Sequence, residues 1–196
     1  MTNLVPDSNG TVDFTAIAAP EDANGFAGAW TATAYAVLRL VEPGRIVMHG
    51  NAKTVDELRD AAGVGVGRVV VDSLMEIAYL ACEVRRTQKV LIRVTPDIDI
   101  GGHAAVTTGV NDQKFGFALA DDRAVEVARR ILHQPLLDLV GLHCHIGSQV
   151  TDPMLYGEAV HRMIAAMADI RARHGVILHE LNLGGGHGVP YVSGDP

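Results

Sequence analysis

Short apolar segments alternate with longer helical patterns from about residue 45 onward. Five segments rich in β-branched and other apolar residues predict strands, at residues 45–49, 68–72, 90–95, 139–146 and 181–184. Helical periodicity is found between them, at residues 55–62, 74–85, 123–132 and 153–174. This alternation is typical of βα units. Because the strand segments are apolar almost throughout, we expect a parallel sheet that is buried on both faces.

The number of strands limits the kind of α/β fold. A closed barrel of eight strands typically takes about 250 residues, whereas this chain has 196. Five strands therefore predict either an open, doubly wound sheet or part of a barrel. The sequence ends at Pro196, soon after a glycine loop and without a helix to cover the last strand, which favours an interrupted barrel.

The N-terminal part has a different character. Residues 1–30 are small and polar, with Pro, Asn and Gly at intervals, and predict a loosely ordered leader. Residues 31–196 are predicted to form one partial barrel domain. An alanine-rich helix is expected over residues 25–40.

Composition excludes several classes of function. The formal charge is −7 and the pI is about 5.6, which argues against nucleic acid as a partner. No segment has the length and apolarity of a membrane span or the pattern of a signal peptide. We expect a cytoplasmic protein. Cys82 and Cys144 are predicted to be small buried apolar residues, since they lack metal-ligand spacing.

A run of glycines follows the last predicted strand, in Gly184-Gly185-Gly186-His187-Gly188. Consecutive glycines leave their backbone N–H groups unobstructed, and such a nest binds phosphate. In barrels a phosphate site commonly lies in the loops after the last two strands. A tight turn that needs positive φ is the alternative. Four glycines in five residues favour the phosphate site.

Two histidines alternate along the fourth predicted strand. Period-two alternation places His143 and His145 on one face, and Ser148 follows near the carboxyl end of the strand. Barrel enzymes carry their chemistry at that end. The pair is interpreted as hydrogen-bonded core histidines, as ligand contacts, or as metal ligands with Asp72 as a further candidate.

Arg93 lies within an apolar strand. A guanidinium cannot lose its charge, so a buried one must find a partner. The sequence leaves open whether this partner is a carboxylate or an anionic ligand.

Several segments together resemble the diaminopimelate decarboxylase family. The similarity extends over residues 49–58, 66–80, 91–117, 139–150 and 180–191. Their order and spacing match that family as well, and the resemblance covers the chain from about Leu40 to its end.

The resemblance implies an alanine-racemase-like (β/α)8 barrel, present here in part, that binds pyridoxal 5'-phosphate at the carboxyl ends of its strands. By motif, His145 stacks on the pyridoxal ring. The phosphate is held by Ser148 and by the backbone amides of Gly184, Gly185 and Gly186.

Further residues are carried over from the same motifs. Arg93 matches the strand arginine close to the cofactor, and with His145 it is a candidate catalytic residue. Lys114 matches a motif near the active site and the dimer contact, without an assigned chemical step. His187 replaces a large apolar residue of many relatives and is treated as variation.

Some parts of the family pattern have no counterpart. The family's Schiff-base lysine lies in a Tyr-Ala-x-Lys-Ala segment on the first strand, and the three lysines here are Lys53, Lys89 and Lys114. Lys89 begins its strand, at the wrong end of a barrel, and the other two match other motifs. No Glu-Pro-Gly-Arg segment, whose glutamate pairs with the pyridine nitrogen, follows the glycine loop, and the C-terminal β-domain is not matched. We therefore expect the first strands and the last strand of the barrel to be missing.

The implied function is pyridoxal-phosphate-dependent decarboxylation of an amino acid, meso-diaminopimelate to lysine in lysine biosynthesis, by a homodimer. Arginine and ornithine decarboxylases share the architecture, so the sequence leaves the substrate open. Without the Schiff-base lysine, the chain alone is expected to be inactive or nearly so. One alternative is a non-catalytic cofactor-binding remnant or assembly part, and another is a metal-dependent barrel enzyme that uses the histidine pair.

Overall fold

The computed structural model describes residues 40–98, 115–119 and 122–189. The chain divides into two compact units, Met1–Ile46 and Val47–Pro196. In the first unit the described residues form a 3-10 turn at Pro43–Arg45, in which the Arg45 amide donates to the Glu42 carbonyl at 2.8 Å. The predicted leader and almost all of the predicted helix over residues 25–40 lie outside the described residues.

The second unit alternates strands and helices as predicted. Its strands are β1 (Val47–Met48), β2 (Arg68–Val71), β3 (Gln88–Thr95), β4 (Phe117–Ala118), β5 (Leu137–His143) and β6 (Glu180–Asn182). Its helices are α1 (Val55–Val64), α2 (Leu74–Glu83), α3 (Arg123–Leu132) and α4 (Pro153–His174).

Each predicted strand differs from the observed one by one to three residues at one end or both. The first strand begins at Val47, because Arg45 belongs to the turn that Pro43 opens. The fourth predicted strand ends at His143, and the last ends at Asn182, before Gly184 adopts a φ of +74°. The two-residue strand β4 was not predicted.

All strand pairs in the described residues are parallel. The strand order is β1-β2-β3-β5-β6, and β4 pairs with the last residues of β3. Each helix follows a strand and returns the chain to the same edge of the sheet, which is the βα arrangement that the sequence predicts.

The sheet is strongly curved. Side chains stand perpendicular to a flat sheet, so residues three strands apart would not meet above one. Here Arg68 of β2 forms an ion pair with Glu180 of β6 at 2.6 Å, and the His49 ring, just after β1, stacks on His143 of β5 with 5.9 Å between ring centroids. The described strands therefore form part of a parallel α/β barrel.

The hydrophobic core lies between the convex face of the sheet and the helices. Val69, Ile92 and Leu142 supply fully buried strand residues, and Leu58 and Leu80 supply helical ones. The side chains that alternate with these on each strand point to the concave face, where the candidate site lies.

Cysteine burial agrees only in part with the prediction. Cys144 is fully buried, whereas Cys82 is exposed. On α2 the buried stripe consists of Ile77, Leu80 and, at the helix end, Val84, and Cys82 lies two residues from Leu80, about 200° around the helix. None of the helices in the described part of the chain is long and apolar enough to cross a membrane.

Candidate functional site

Four polar side chains form a row across the carboxyl ends of neighbouring strands. We call Asp72, Arg93, His143 and Asn182 the polar row. Arg93 is in register with His143, which is in register with Asn182. Asp72 directly follows the pairing of Val71 with Ile92. Because these residues share a register position on parallel strands, their side chains lie at one level of the barrel.

The partner of Arg93 is a carboxylate of the same row. Arg93 Nη1 lies 3.2 Å from Asp72 Oδ2, and both residues are 8% exposed. The guanidinium also lies over the Phe115 ring, 4.9 Å from its centroid. Burial raises the pKa of the Asp72 carboxyl, and the positive charge of Arg93 opposes this rise. The structural ion pair is therefore present, while a contact of Arg93 with an anionic ligand stays a prediction.

His143 is a buried neutral imidazole. It is 3% exposed, and burial followed by the charge of Arg93 lowers its pKa to about 3. His143 Nδ1 and Asp72 Oδ1 are the buried side-chain atoms without a hydrogen-bond partner among the described residues. Buried polar atoms are nearly always partnered, so each marks a place where a water or ligand atom fits.

His145 lies half-buried against the glycine loop. Burial, and then the charge of Arg93, lowers its pKa, whereas a hydrogen bond to the Gly185 backbone raises it. Cβ atoms built at Gly184 and Gly186 would come within 3.1 Å and 3.0 Å of the His145 ring. The sequence placed His143 and His145 on one face, and both electrostatic contacts with Arg93 agree with that placement.

The glycine loop alternates in the sign of φ, which is a feature of anion-binding nests. Gly184 and Gly186 have φ of +74° and +94°, and Gly185 between them does not have positive φ. Such alternation turns successive N–H groups toward a common concavity. Side chains are excluded at the two outer positions, because a Cβ would lie 2.5 Å from the Cys144 carbonyl oxygen at Gly184 and 1.8 Å from the Gly147 carbonyl oxygen at Gly186.

Gly185 differs from its neighbours. A Cβ built on Gly185 meets no atom of the described residues within 4 Å, and its φ does not demand glycine. The turn alone therefore accounts for Gly184 and Gly186 but not for Gly185. Gly185 is exposed, and the open space beside it leaves room for a phosphate group.

Ser148 lies in the loop that packs beside the glycine loop. The Val150 amide donates to the Gly186 carbonyl at 2.8 Å, and the Gly188 amide donates to the Val150 carbonyl at 3.0 Å. The Gln149 side chain forms two hydrogen bonds with the Val189 backbone. Ser148 is exposed and lies next to Gln149 in this loop, and its contact with a phosphate stays a prediction.

Several residues near the site were not predicted from the sequence. His49 stacks on His143, and Lys53 forms a buried ion pair with Glu76 at 2.9 Å. The Tyr156 ring stacks on His187 with 4.5 Å between centroids. Each contact joins residues more than 20 positions apart, so no local pattern in the sequence signals it.

The lysines have separate environments. Lys89 is exposed at the amino end of β3, as predicted, and Lys114 lies outside the described residues. Lys53 is buried and donates to the Gly50 carbonyl as well as to Glu76. The letters Glu-Pro-Gly-Arg do occur, at residues 42–45, but they precede β1, whereas the family's segment follows the glycine loop.

The metal interpretation gains no support. Within residues 40–98, 115–119 and 122–189, no group of three or more His, Cys, Asp or Glu side chains is arranged to hold a metal ion.

Burial raises the pKa of the Cys144 thiol to about 12, so this residue is a neutral apolar side chain at neutral pH, as predicted.

Comparisons with known proteins agree on one family. The family model described as "Pyridoxal-dependent decarboxylase, pyridoxal binding domain" matches residues 25–196. Diaminopimelate decarboxylase of Actinosynnema pretiosum subsp. auranticum is 50% identical over 151 residues, which are 77% of this chain and 34% of that protein. The enzyme of Corynebacterium efficiens is 42% identical over 157 residues, 78% of this chain and 34% of that protein.

Solved structures give the same result. Diaminopimelate decarboxylase from Helicobacter pylori complexed with L-lysine has a TM-score of 0.74 and 28% identity, covering 84% of this chain and 42% of that chain. The enzyme from M. jannaschii in co-complex with L-lysine has a TM-score of 0.73 and 29% identity, covering 84% and 38%. The chain spans about a third of the length of the curated relatives it matches.

Proposed function

The chain belongs to the pyridoxal-dependent decarboxylase family, and from this premise we propose that its glycine loop and His145 hold pyridoxal 5'-phosphate. The loop binds the phosphate through the amides of Gly184, Gly185 and Gly186, of which the Gly184 amide donates to Asn182 Oδ1 at 2.8 Å in this structure and would exchange that acceptor for the phosphate. His145, whose ring lies against this loop, stacks on the pyridoxal ring. The observation that carries the proposal is the open space at Gly185 between two glycines that the turn itself requires.

The neighbouring residues support the same site. Ser148 adds a hydroxyl donor beside the glycine loop. Burial, and then the positive charge of Arg93, lowers the pKa of His145, which favours a neutral imidazole that stacks without the desolvation cost of a charged ring. Asp72 balances that charge within the barrel.

The activity proposed for the whole protein is decarboxylation of meso-diaminopimelate to lysine, in the cytoplasm and as a homodimer. Diaminopimelate decarboxylases are 50% and 42% identical to this chain, and related structures contain L-lysine. Bound pyridoxal phosphate supplies the electron sink that takes up the electron pair left by the departing carboxylate. The residues described here orient the cofactor and exclude water from one of its faces.

The residues of this sequence are proposed to have little decarboxylase activity by themselves. The Lys53 amine is held against Glu76 in a buried ion pair, and Lys89 lies at the opposite end of its strand. Neither amine is placed to react with a cofactor at the glycine loop. With these two lysines placed elsewhere and Lys114 matched to another motif, the cofactor is expected to bind through noncovalent contacts.

Replacement of Gly185 by alanine tests the phosphate site. The added methyl group meets no atom of the described residues within 4 Å, so Gly185→Ala is expected to fold normally, while a methyl group in the space proposed for the phosphate weakens pyridoxal phosphate binding by about tenfold. Binding is measured by spectroscopic titration, and stability by urea unfolding.

Gly157→Ala is the matched control, because Gly157 lies in α4 and a Cβ there also meets no atom within 4 Å. It should leave the affinity unchanged. Equal affinity of the wild-type chain and Gly185→Ala would mean that the glycines serve only the turn.

A further inference from the structure

A second buried ion pair lies beside the polar row. Lys53 and Glu76 have side chains that are each 4% exposed, with Nζ 2.9 Å from Oε2. Lys53 belongs to the loop between β1 and α1, and Glu76 to the first turn of α2. Charged pairs that are fully withdrawn from water contribute little net stability, because desolvation offsets their attraction. Their presence at the carboxyl ends of the strands therefore calls for another explanation.

Glu76 fixes two chain segments at once. Its carboxylate accepts hydrogen bonds from the Lys53 backbone amide at 3.2 Å and from the Asp72 backbone amide at 2.9 Å. The Ser73 side chain caps the helix turn that carries Glu76, at 3.1 Å from its amide. One carboxylate thus joins the loop after β1 to the end of β2.

Lys53 constrains the loop that carries His49. Its ammonium group donates to the Gly50 carbonyl as well as to Glu76. Within this loop Ala52 has a φ of +54°, a conformation that is uncommon for residues other than glycine. Such backbone persists when surrounding contacts determine it. The ion pair supplies these contacts and so sets the direction in which His49 leaves β1.

We propose that Lys53 and Glu76 are positioning residues that hold the polar row in place beside the cofactor site. Through Glu76 the pair fixes the backbone of Asp72, the ion-pair partner of Arg93. Through Lys53 it fixes the loop of His49, whose ring stacks on His143. Neither Lys53 nor Glu76 needs to touch the cofactor. This inference rests on the proposed pyridoxal phosphate site, which it extends by two residues.

The test replaces the buried pair by apolar side chains. The double variant Lys53→Met/Glu76→Leu removes both charges together, which avoids leaving one charge buried alone. It also removes the acceptor of the Lys53 and Asp72 amides, so some loss of stability is expected. Its control is Arg59→Met/Glu83→Leu, which removes a nearby ion pair between α1 and α2, in which the Arg59 side chain is 52% exposed. Two quantities are measured in each chain: the nuclear Overhauser effect between the His49 and His143 ring protons without cofactor, and the affinity for pyridoxal phosphate.

In the folded buried-pair variant we expect the ring-to-ring effect to disappear and the affinity to fall on the order of tenfold, as for other side chains that orient a binding group without touching the ligand. The control should keep both. Retention of either quantity in the buried-pair variant would overturn the proposal. If the wild-type chain binds no pyridoxal phosphate, the proposed function fails, and retention of the ring-to-ring effect still overturns the positioning role.

Glu76→Gln covers the case in which the double variant does not fold. It keeps one of the two side-chain oxygens that accept separately from the Lys53 and Asp72 amides, and it removes the charge that holds Lys53. The same two losses are expected. If both variants unfold while the control folds, the ion pair serves stability and the positioning role is wrong.

Discussion

His143 couples the candidate site to the pH dependence of folding. Its pKa in the folded chain is lowered to about 3 by burial and by Arg93, whereas an unfolded histidine titrates near 6.5. As pH falls below 6.5, His143 becomes protonated in the unfolded state, whereas in the folded state it stays neutral until about pH 3. The stability contributed by the neutral imidazole is therefore present above pH 6.5 and is lost as pH falls through this window.

We expect the wild-type chain to lose about 2 kcal/mol more stability than His143→Gln between pH 7 and pH 5, from a slope that approaches 1.4 kcal/mol per pH unit. Urea unfolding at the two pH values measures this difference. His179→Gln, which removes an exposed imidazole, should behave like the wild-type chain. An equal pH dependence of the wild-type chain and His143→Gln would show that His143 is not the group involved.

Individual residues were predictable where a local rule applies. Period-two alternation placed His143 and His145 on one face, and consecutive glycines indicated the nest. The partner of Arg93 was open, because Asp72 lies 21 residues away and the contact depends on strand register. The Lys53–Glu76 pair, separated by 23 residues, was missed for the same reason.

At the scale of elements, helix α1 begins with a capping box. The Thr54 side chain accepts from the Glu57 amide, and the Glu57 carboxylate accepts from the Thr54 amide at 2.7 Å. Each interaction satisfies a backbone or side-chain group that the first helical turn leaves unpaired. Because Lys53 directly precedes the cap, this helix start also holds the loop that contacts Glu76.

Thr54→Ala is expected to lower the free energy of unfolding by about 1 kcal/mol, since the Glu57 amide loses its acceptor. Thr54→Ser keeps a hydroxyl at the same place and should retain most of that stability. Urea unfolding of the two variants measures the difference. If Thr54→Ala were as stable as the wild-type chain, water would be an adequate substitute for the cap.

Most helices and strands were predicted because their signals are local in the sequence. A strand buried on both faces is a continuous apolar run, and a helix shows apolar residues at helical spacing. Two helices, α3 and α4, have the predicted boundaries. The exception among the strands is β4, since two residues are too few for any periodicity to be visible. The predicted burial of Cys82 was wrong, because the predicted helix is apolar on much of its surface. Only the side of the helix that carries Ile77 and Leu80 faces the core.

At the scale of the whole molecule, the sequence predicted part of a barrel, and the curved parallel sheet confirms it. Curvature itself is not visible in a sequence. It follows from strand order and register, which allow Arg68 to reach Glu180 over a separation of 112 residues. The family resemblance was confirmed by the matching family model over residues 25–196.

The central claim is that these 196 residues hold the phosphate and ring of pyridoxal phosphate by noncovalent contacts, without a Schiff-base lysine. The most direct measurement combines equilibrium dialysis with borohydride reduction and peptide mapping. The chain should retain pyridoxal phosphate before reduction and yield no stable pyridoxyl-lysine afterwards beyond the background on the exposed Lys89. A stoichiometric pyridoxyl adduct on Lys53 or Lys114, or no retention of cofactor before reduction, would contradict the claim.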